Sequence, residues 1–387
     1  MPEAIAAFQN AIACEAEFAS AYHNLALALY SQKQLPAAIA AYRKAIALEL
    51  HDATLHYNLG NALREQKDLP GAIEQYREAI ALDRQYAEAH CNLGLGLRLQ
   101  GHFSQALVHL KQGHELGSQR KDWPYPSGQW VRLCERQAEF AARLPALVKG
   151  EYQPKDNPER GELIEVCRLQ QRYQTAARLF TDAFAVDPKL ADRFGTRYNA
   201  ACFAALAAAG QGKDEPPTDE KEPAKLRTQA LAWLRADVVA QSKTLTSNPS
   251  FAVALRNQLK HWQTDPDLVA VRDNKELSRL PQEEQAAWQK LWTDVEHLRT
   301  AARSNYTKTT FKGTLTAKEG QQVHELKMLA GKTYVIDMSS PQFDTYLRLE
   351  DDKGKVVAEN DDISPTNLNS RIVFTAPKDG AYRIVAT

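Results

Sequence analysis

Small and apolar residues return along the first 120 positions of the chain with a period of 34. Asn24-Leu25-Ala26, Asn58-Leu59-Gly60 and Asn92-Leu93-Gly94 mark the period. Ala38, Ala72 and Ala106 follow at one fixed offset, and Ala45, Ala79 and Gly113 at another. Each copy reads as two amphipathic helices joined by a turn. The small residues sit where two helix axes come close, and Leu25, Leu59 and Leu93 with Tyr42, Tyr76 and Leu110 fill the space between pairs. Such a unit cannot bury its apolar face alone, so copies must stack and leave an open concave side. Ala4, Phe8 and Ala11 precede Ala38, Tyr42 and Ala45 by one period, so the second helix of a repeat is expected to open the chain. A bare half-repeat exposes the face its partner covers, which points to a fragment of a longer protein.

Residues 19–52, 53–86 and 87–120 are three complete copies, and together with the opening half-repeat they define a first region, 1–120. After Gly117 the register breaks, because Trp123-Pro124-Tyr125-Pro126-Ser127-Gly128 cannot continue a helix. Two helical stretches flank a polar joint at Gln153 to Pro158. A divergent fourth repeat follows, with Leu163 and Ile164 in its first helix and Ala176, Phe180, Ala183 and Asp187-Pro188 marking its second. Tyr198-Asn199-Ala200-Ala201 opens a fifth, whose partner around Ala230-Leu231-Ala232-Trp233 comes after a charged insert, Gly212 to Pro223. That insert is expected to be a mobile surface loop. Amphipathic helices near Phe251–Thr264 and Glu283–Ala302 bring Trp262, Trp288 and Trp292 and are read as a cap closing the helical region, 121–303.

Near Ser304 the period changes from helical to two. Tyr334, Ile336 and Met338 alternate with Val335 and Asp337, Leu347 and Leu349 with Arg348, and Ile372 and Phe374 with Val373; Tyr382 and Ile384 follow the same rule. Turn signals separate them at Ala330-Gly331-Lys332, Asp352-Lys353-Gly354, Ser364-Pro365 and Lys378-Asp379-Gly380. This pattern predicts a small antiparallel β-sandwich over 304–387.

Three segments resemble known families. The 34-residue copies resemble the tetratricopeptide repeat, which carries small residues at its eighth, twentieth and twenty-seventh positions. They depart from it where Leu50, Arg84 and Ser118 replace the repeat-ending proline. The runs Ala330-Gly331-Lys332-Thr333-Tyr334, Phe343-Asp344-Thr345-Tyr346-Leu347-Arg348-Leu349, Asn360-Asp361-Asp362 and Asp379-Gly380-Ala381-Tyr382-Arg383 resemble the bacterial pre-peptidase C-terminal domain. That resemblance implies a further closing strand beyond Thr387, without which an unprotected edge is expected. Trp123-Pro124-Tyr125-Pro126-Ser127, Arg197-Tyr198-Asn199-Ala200-Ala201, Ala232-Trp233-Leu234-Arg235-Ala236-Asp237 and His261-Trp262-Gln263-Thr264-Asp265-Pro266-Asp267-Leu268 resemble a segment found after the repeats of large bacterial serine/threonine protein kinases. This implies a regulatory or substrate-recruiting tail whose kinase domain lies upstream of Met1. The fold class expected is mainly α: a tetratricopeptide α-solenoid with a helical cap, followed by a small all-β antiparallel sandwich.

Composition narrows the function. Lys+Arg and Asp+Glu both number 48, so the formal net charge is zero, and no long-range field favours nucleic acid or an anionic membrane. The most apolar run, Tyr198 to Gly210, is shorter than the roughly 20 residues of a spanning helix, and Met1-Pro2-Glu3-Ala4 does not begin a signal peptide. Cys14, Cys91, Cys134, Cys167 and Cys202 form no CxxC pair and read as small core residues. No Gly-rich phosphate loop, GxSxG elbow, HExxH or kinase motif set occurs. His109 and His114 do not share a helical face. The chain is expected to be non-catalytic and to carry no cofactor.

The expected partner is a protein or an extended peptide. In tetratricopeptide proteins the first helix of each pair lines the groove. Carried over by position, that groove holds His23, Asn24, Leu27 and Tyr30, then Tyr57, Asn58, Asn61 and Arg64, then Cys91, Asn92, Leu95 and Arg98. The Asn24/Asn58/Asn92 column resembles the asparagine ladder by which the superhelix of O-GlcNAc transferase grips a peptide backbone. A carboxamide offers one donor and one acceptor, matching a peptide unit whatever its side chain, although asparagine there also suits bonding to neighbouring helix backbone. Arg64 and Arg98 favour an acidic ligand, while the lysines of a chaperone-type carboxylate clamp are missing. In the β-domain, Asp351, Asp352, Asp361 and Asp362, beside Glu350, are hard oxygen donors of the calcium type. Lys353 and Lys355 among them fit ordinary turn chemistry better. The repeats favour the cytoplasm and the β-domain resembles a module of exported proteins, so compartment stays open.

Overall fold

The computed structural model describes residues 2–49, 51–193, 195–215, 219–248, 251–304, 306–307, 321–338, 345–360 and 369–387. Leu50, the Phe343-Asp344 pair, Asp361, Asp362 and the Ser364-Pro365 turn lie outside the described residues. The chain forms two compact units: Met1–Ala183 with Gly212–Glu215, and Phe184–Gln211 with Pro216–Thr387. No helix among the described residues is long and apolar enough to cross a membrane.

The first unit is built from helix pairs. Helix α1 (Pro2–Cys14) is the expected lone second helix, followed by α2 (Ala19–Ser31), α3 (Leu35–Leu48), α4 (Ala53–Glu65), α5 (Leu69–Leu82), α6 (Ala87–Leu99) and α7 (Phe103–Ser118). The small positions explain the pairing. Ala26, Ala38, Ala45, Ala72, Ala79 and Ala106 have no exposed surface. A Cβ built on Gly60 would lie 2.6 Å from the Tyr76 ring, and one on Gly94 would lie 2.9 Å from the Ala106 carbonyl oxygen. Within each pair the turn is closed by one left-handed residue: Lys33 (φ 60°), Lys67 (φ 72°) and Gly101 (φ 77°). Asp52 and Asp68 cap α4 and α5 by accepting from the backbone N–H of Thr54 (2.7 Å) and Gly71 (3.0 Å).

The Trp-Pro-Tyr-Pro break falls between α7 and α8 (Ser127–Val148), and the polar joint between α8 and α9 (Asn157–Leu169). Pairing continues through the break, since α8 packs on α7 and α9 on α8. The divergent fourth repeat, α9 with α10 (Tyr173–Val186), keeps the left-handed turn residue, here Gln171 at φ 59°. The start of the charged insert is hydrogen-bonded to the fourth repeat: Asp214 accepts from the N–H of Gln174 (2.8 Å) and the hydroxyl of Thr175 (2.7 Å), capping α10, and the Lys213 N–H donates to the Gln171 carbonyl at 2.7 Å. Residues 216–218 of the insert lie outside the described residues.

In the second unit α11 (Thr196–Ala208) pairs with α12 (Glu222–Ser247), and α13 (Ala252–Trp262) packs on α16 (Gln282–Ser304), with α14 (Val269–Arg272) and α15 (Asn274–Leu277) between them in sequence. Trp262 and Trp288 are fully buried, and the Trp292 indole donates to the Val271 carbonyl at 2.8 Å.

The β-domain holds two sheets, ordered β1-β3-β6 and β2-β7-β4-β5, from β1 (Tyr306–Thr307), β2 (Gln322–Met328), β3 (Thr333–Met338), β4 (Leu347–Glu350), β5 (Val356–Asn360), β6 (Ser370–Thr375) and β7 (Gly380–Ala386). Met328, Tyr334, Leu347, Leu349, Ile372, Tyr382 and Ile384 form the core, as the alternation requires. β1 runs parallel to β3, and every other strand pair among the described residues is antiparallel. The last strand, β7, is paired on both sides, with β2 and β4.

Candidate peptide groove

The first helices α2, α4 and α6 place most of the expected groove residues where a ligand can reach them. Asn24, Leu27 and Arg64 are exposed, and His23, Tyr30, Tyr57, Asn58, Asn61, Asn92, Leu95 and Arg98 are half-buried. Cys91 is a correction. Only 2% exposed, it turns inward, where a Cβ on Gly113 would meet its Sγ at 2.6 Å. Because Gly113 stands where the earlier copies have Ala45 and Ala79, it leaves room for the sulfur. Burial pushes the thiol up to about 12, so it is a packing residue and not a nucleophile.

The asparagine column is not uniform. Asn24 is open to solvent. Asn58 Nδ2 lies within hydrogen-bond distance of His23 Nε2, at 3.2 Å. Asn92 is the most engaged: Nδ2 donates to Asn61 Oδ1 at 2.9 Å and reaches Tyr57 Oη at 3.4 Å, and Oδ1 accepts from Arg64 Nη1 at 3.4 Å. Asn61 Oδ1 also accepts from the buried Tyr76 hydroxyl at 2.9 Å. The partners are side chains of the preceding repeat, not helix backbone. The column therefore couples neighbouring repeats as well as facing outward.

Electrostatics set the sign of the surface. Lys33 pairs with Glu65 at 2.5 Å and Arg120 with Glu88 at 2.7 Å, so these carboxylates are neutralised. Arg64 has no salt bridge among the described residues, and Arg98 Nη1 donates to the neutral Gln137 Oε1 at 3.2 Å. Burial raises the Tyr57 phenol above its ordinary value, a hydrogen bond from Asn61 opposes the rise, and Tyr125 and Glu88 add to it. Tyr76 is raised in the same way by burial. The phenols stay protonated and can donate.

The structure adds an aromatic edge that the position-by-position reading missed. Tyr57 packs on Tyr86 with ring centroids 4.9 Å apart, and Tyr125 lies edge-on to Trp123 at 4.9 Å and tilted to Trp130 at 6.2 Å. Arg120 stacks over Trp123 at 5.0 Å. The segment that breaks the helical register thus supplies one exposed ring, Tyr125, which interacts electrostatically with the Tyr57 phenol. The aromatic content of residues 123–130 was the available signal.

The candidate calcium donors are committed elsewhere. Asp351 Oδ1 accepts from the N–H groups of Lys353 (3.0 Å) and Lys355 (2.9 Å), closing its own turn, and Asp352 faces Lys378 at 3.4 Å. Glu350 pairs with Arg348 at 2.9 Å. Asp361 and Asp362 lie outside the described residues.

Known families match both kinds of segment. The TPR repeat family model matches residues 26–63 and 60–101, and that of the bacterial pre-peptidase C-terminal domain matches residues 322–387. No curated protein matches the chain. Among solved structures, the chain is similar to the TPR domain of Arabidopsis OM64 at 20% identity and a TM-score of 0.28, covering 30% of this chain and 93% of that one. It is similar to MamA at 18% identity and a TM-score of 0.30, covering 46% of this chain and 87% of that one. It is also similar to the TPR2B domain of yeast Sti1, solved as a pHsp70 complex, at 19% identity and a TM-score of 0.29, covering 31% and 97%. The chain carries tetratricopeptide repeats followed by a bacterial pre-peptidase C-terminal domain.

Proposed function

We propose that this chain is a non-catalytic interaction scaffold that holds an extended polypeptide along the exposed face of α2, α4 and α6. One observation carries the reading. Asn24, Asn58, Asn61 and Asn92 run along that face beside Tyr57 and Arg64, an amide and aromatic strip suited to a peptide backbone. Each carboxamide both donates and accepts hydrogen bonds, so the strip grips main chain and leaves side-chain choice to its surroundings. Arg64 supports a preference for an acidic residue in the ligand. Asn92 exchanges its contacts with Arg64 and Asn61 for the peptide, so its net contribution is that of an ordinary hydrogen bond, about 0.5–1.5 kcal/mol.

The test is a pull-down from host lysate with wild type and the Asn58→Ala/Asn92→Ala double variant. Loss of two bonds of about 0.5–1.5 kcal/mol each lowers affinity by roughly 5- to 150-fold. Identical prey at identical yield from the two proteins refutes the role of the column. The alternative, a recruiting tail of a serine/threonine protein kinase, rests on the four motifs between Trp123 and Leu268, and the reading frame upstream of Met1 decides it.

A further inference from the structure

Two of those motifs, distant in sequence, meet in the second unit. On α11, Tyr198 and Cys202 lie one turn apart; His261 lies in the last turn of α13, and Asp265 caps the short 3-10 turn Pro266–Leu268 that contains Asp267. The Tyr198 hydroxyl donates to Asp265 Oδ2, His261 Nε2 lies 3.0 Å from the same oxygen, and Asp265 Oδ1 accepts from the Asp267 N–H at 2.9 Å. The ligand atoms of Cys202, Asp265 and Asp267 all lie within 4.8 Å of one another. Cys202 is 5% and Asp265 8% exposed.

Among the described residues, no lysine or arginine forms a salt bridge with these carboxylates. Arg272 is near, but its Nη1 donates to the backbone oxygens of Trp262 and Asp265, and its Nε to Asp273. The Asp267 carboxylate has no hydrogen bond or salt bridge among the described residues, although burial and the neighbouring Asp265 both disfavour its charge and raise its pKa. The Cys202 thiol is raised by burial and then by Asp265. Among the described residues, the two carboxylates and the buried thiol are thus held together with a single ion-pair partner, the exposed His261 imidazole.

We infer that Cys202, Asp265 and Asp267 bind a divalent cation of the zinc class, with His261 at the mouth of the site as the fourth ligand. Sulfur, carboxylate oxygen and imidazole nitrogen together are a borderline-soft donor set, which suits Zn²⁺ and not Ca²⁺ or Mg²⁺. Tyr198 acts as the positioning residue, its hydroxyl orienting the Asp265 carboxylate as outer-shell donors do in metal centres. Binding displaces the Cys202 proton to solvent, leaving the thiolate on the metal. The ion ties α11 to the turn after α13.

The experiment uses the full chain, freed of metal by chelation, with the exposed Cys14 replaced by serine. Titration with Co²⁺ is expected to produce a thiolate-to-cobalt charge-transfer band that one equivalent of Zn²⁺ abolishes, and Zn²⁺ is expected to raise the melting temperature. Adding Cys202→Ala should remove both effects, and Tyr198→Phe should keep the band while weakening Zn²⁺ binding about 10–100-fold. Absence of the band, or a band unchanged by Cys202→Ala, overturns the site. If circular dichroism shows that Cys202→Ala does not fold, Asp267→Asn carries the test, and unchanged Zn²⁺ affinity in that variant overturns the site.

Discussion

Gly113→Ala tests whether tertiary packing overrides the repeat pattern. The two earlier copies carry Ala45 and Ala79 at this position, and alanine favours a helix interior over glycine by about 1 kcal/mol. On the pattern alone the substitution stabilises. In the structure the new Cβ would lie 2.6 Å from Cys91 Sγ, 2.8 Å from the Cys91 nitrogen and 2.9 Å from the Ala87 oxygen. The sulfur can rotate away, but the two backbone atoms cannot, so relief requires α6 and α7 to separate. Overpacking of this kind costs about 1–3 kcal/mol, which leaves a net loss of roughly 1 kcal/mol after the gain in propensity. Gly161 is the control: it is exposed inside α9, and a Cβ added there would meet no atom within 4 Å. Gly161→Ala should therefore stabilise by about 0.5–1 kcal/mol. For a unit of this size each kcal/mol moves the melting temperature by about 2–4 °C, so thermal melts followed by circular dichroism should shift in opposite directions. A rise for Gly113→Ala equal to that for Gly161→Ala would refute the packing argument.

Other outcomes follow from the same contacts. Asn61→Ala removes the acceptor shared by Tyr76 and Asn92, so a buried hydroxyl loses its partner and unfolding free energy in urea should fall by about 1–3 kcal/mol. His90 and His109 share a hydrogen bond between their Nδ1 atoms at 3.2 Å, and burial lowers both below the ordinary imidazole value of 6.5. Both are therefore neutral in the fold, and the stability they contribute is present above 6.5 and lost as pH falls through their depressed values. His109→Gln, which reproduces the His56–Gln75 pair of the preceding repeat, should reduce that acid sensitivity in pH-dependent melts. Gly354, at φ 77° in the turn between β4 and β5, should lose about 1 kcal/mol on replacement by alanine, read as a lower melting temperature of the β-domain.

The legibility of the fold varied with how local its causes were. The helix pairs were readable because Ala38, Ala72 and Ala106 answer to a repeating close approach, and β3, β4, β6 and β7 because their apolar residues alternate. β2 was not readable: its inward residues are Gln322, His324, Leu326 and Met328, so half of the buried face is polar and the alternation disappears. That Asn58, Asn61, Arg64 and Asn92 lie on accessible faces of α4 and α6 could be read from position alone. Tyr125 and Tyr86 could not, because they reach the strip from turns that carry no repeat signal.

By itself the sequence determined the elements, their period and the face each helix turns to its partner, since these follow from spacing and side-chain size along one segment. Only the tertiary structure decided how the polar groups are used. Cys91 turns inward because Gly113 leaves space there, Asn92 is held by a network from the preceding repeat, and Asp265 meets Tyr198 across 67 residues of chain. Hydrogen bonds and close contacts of this kind depend on positions fixed by packing, which no periodicity in the chain records.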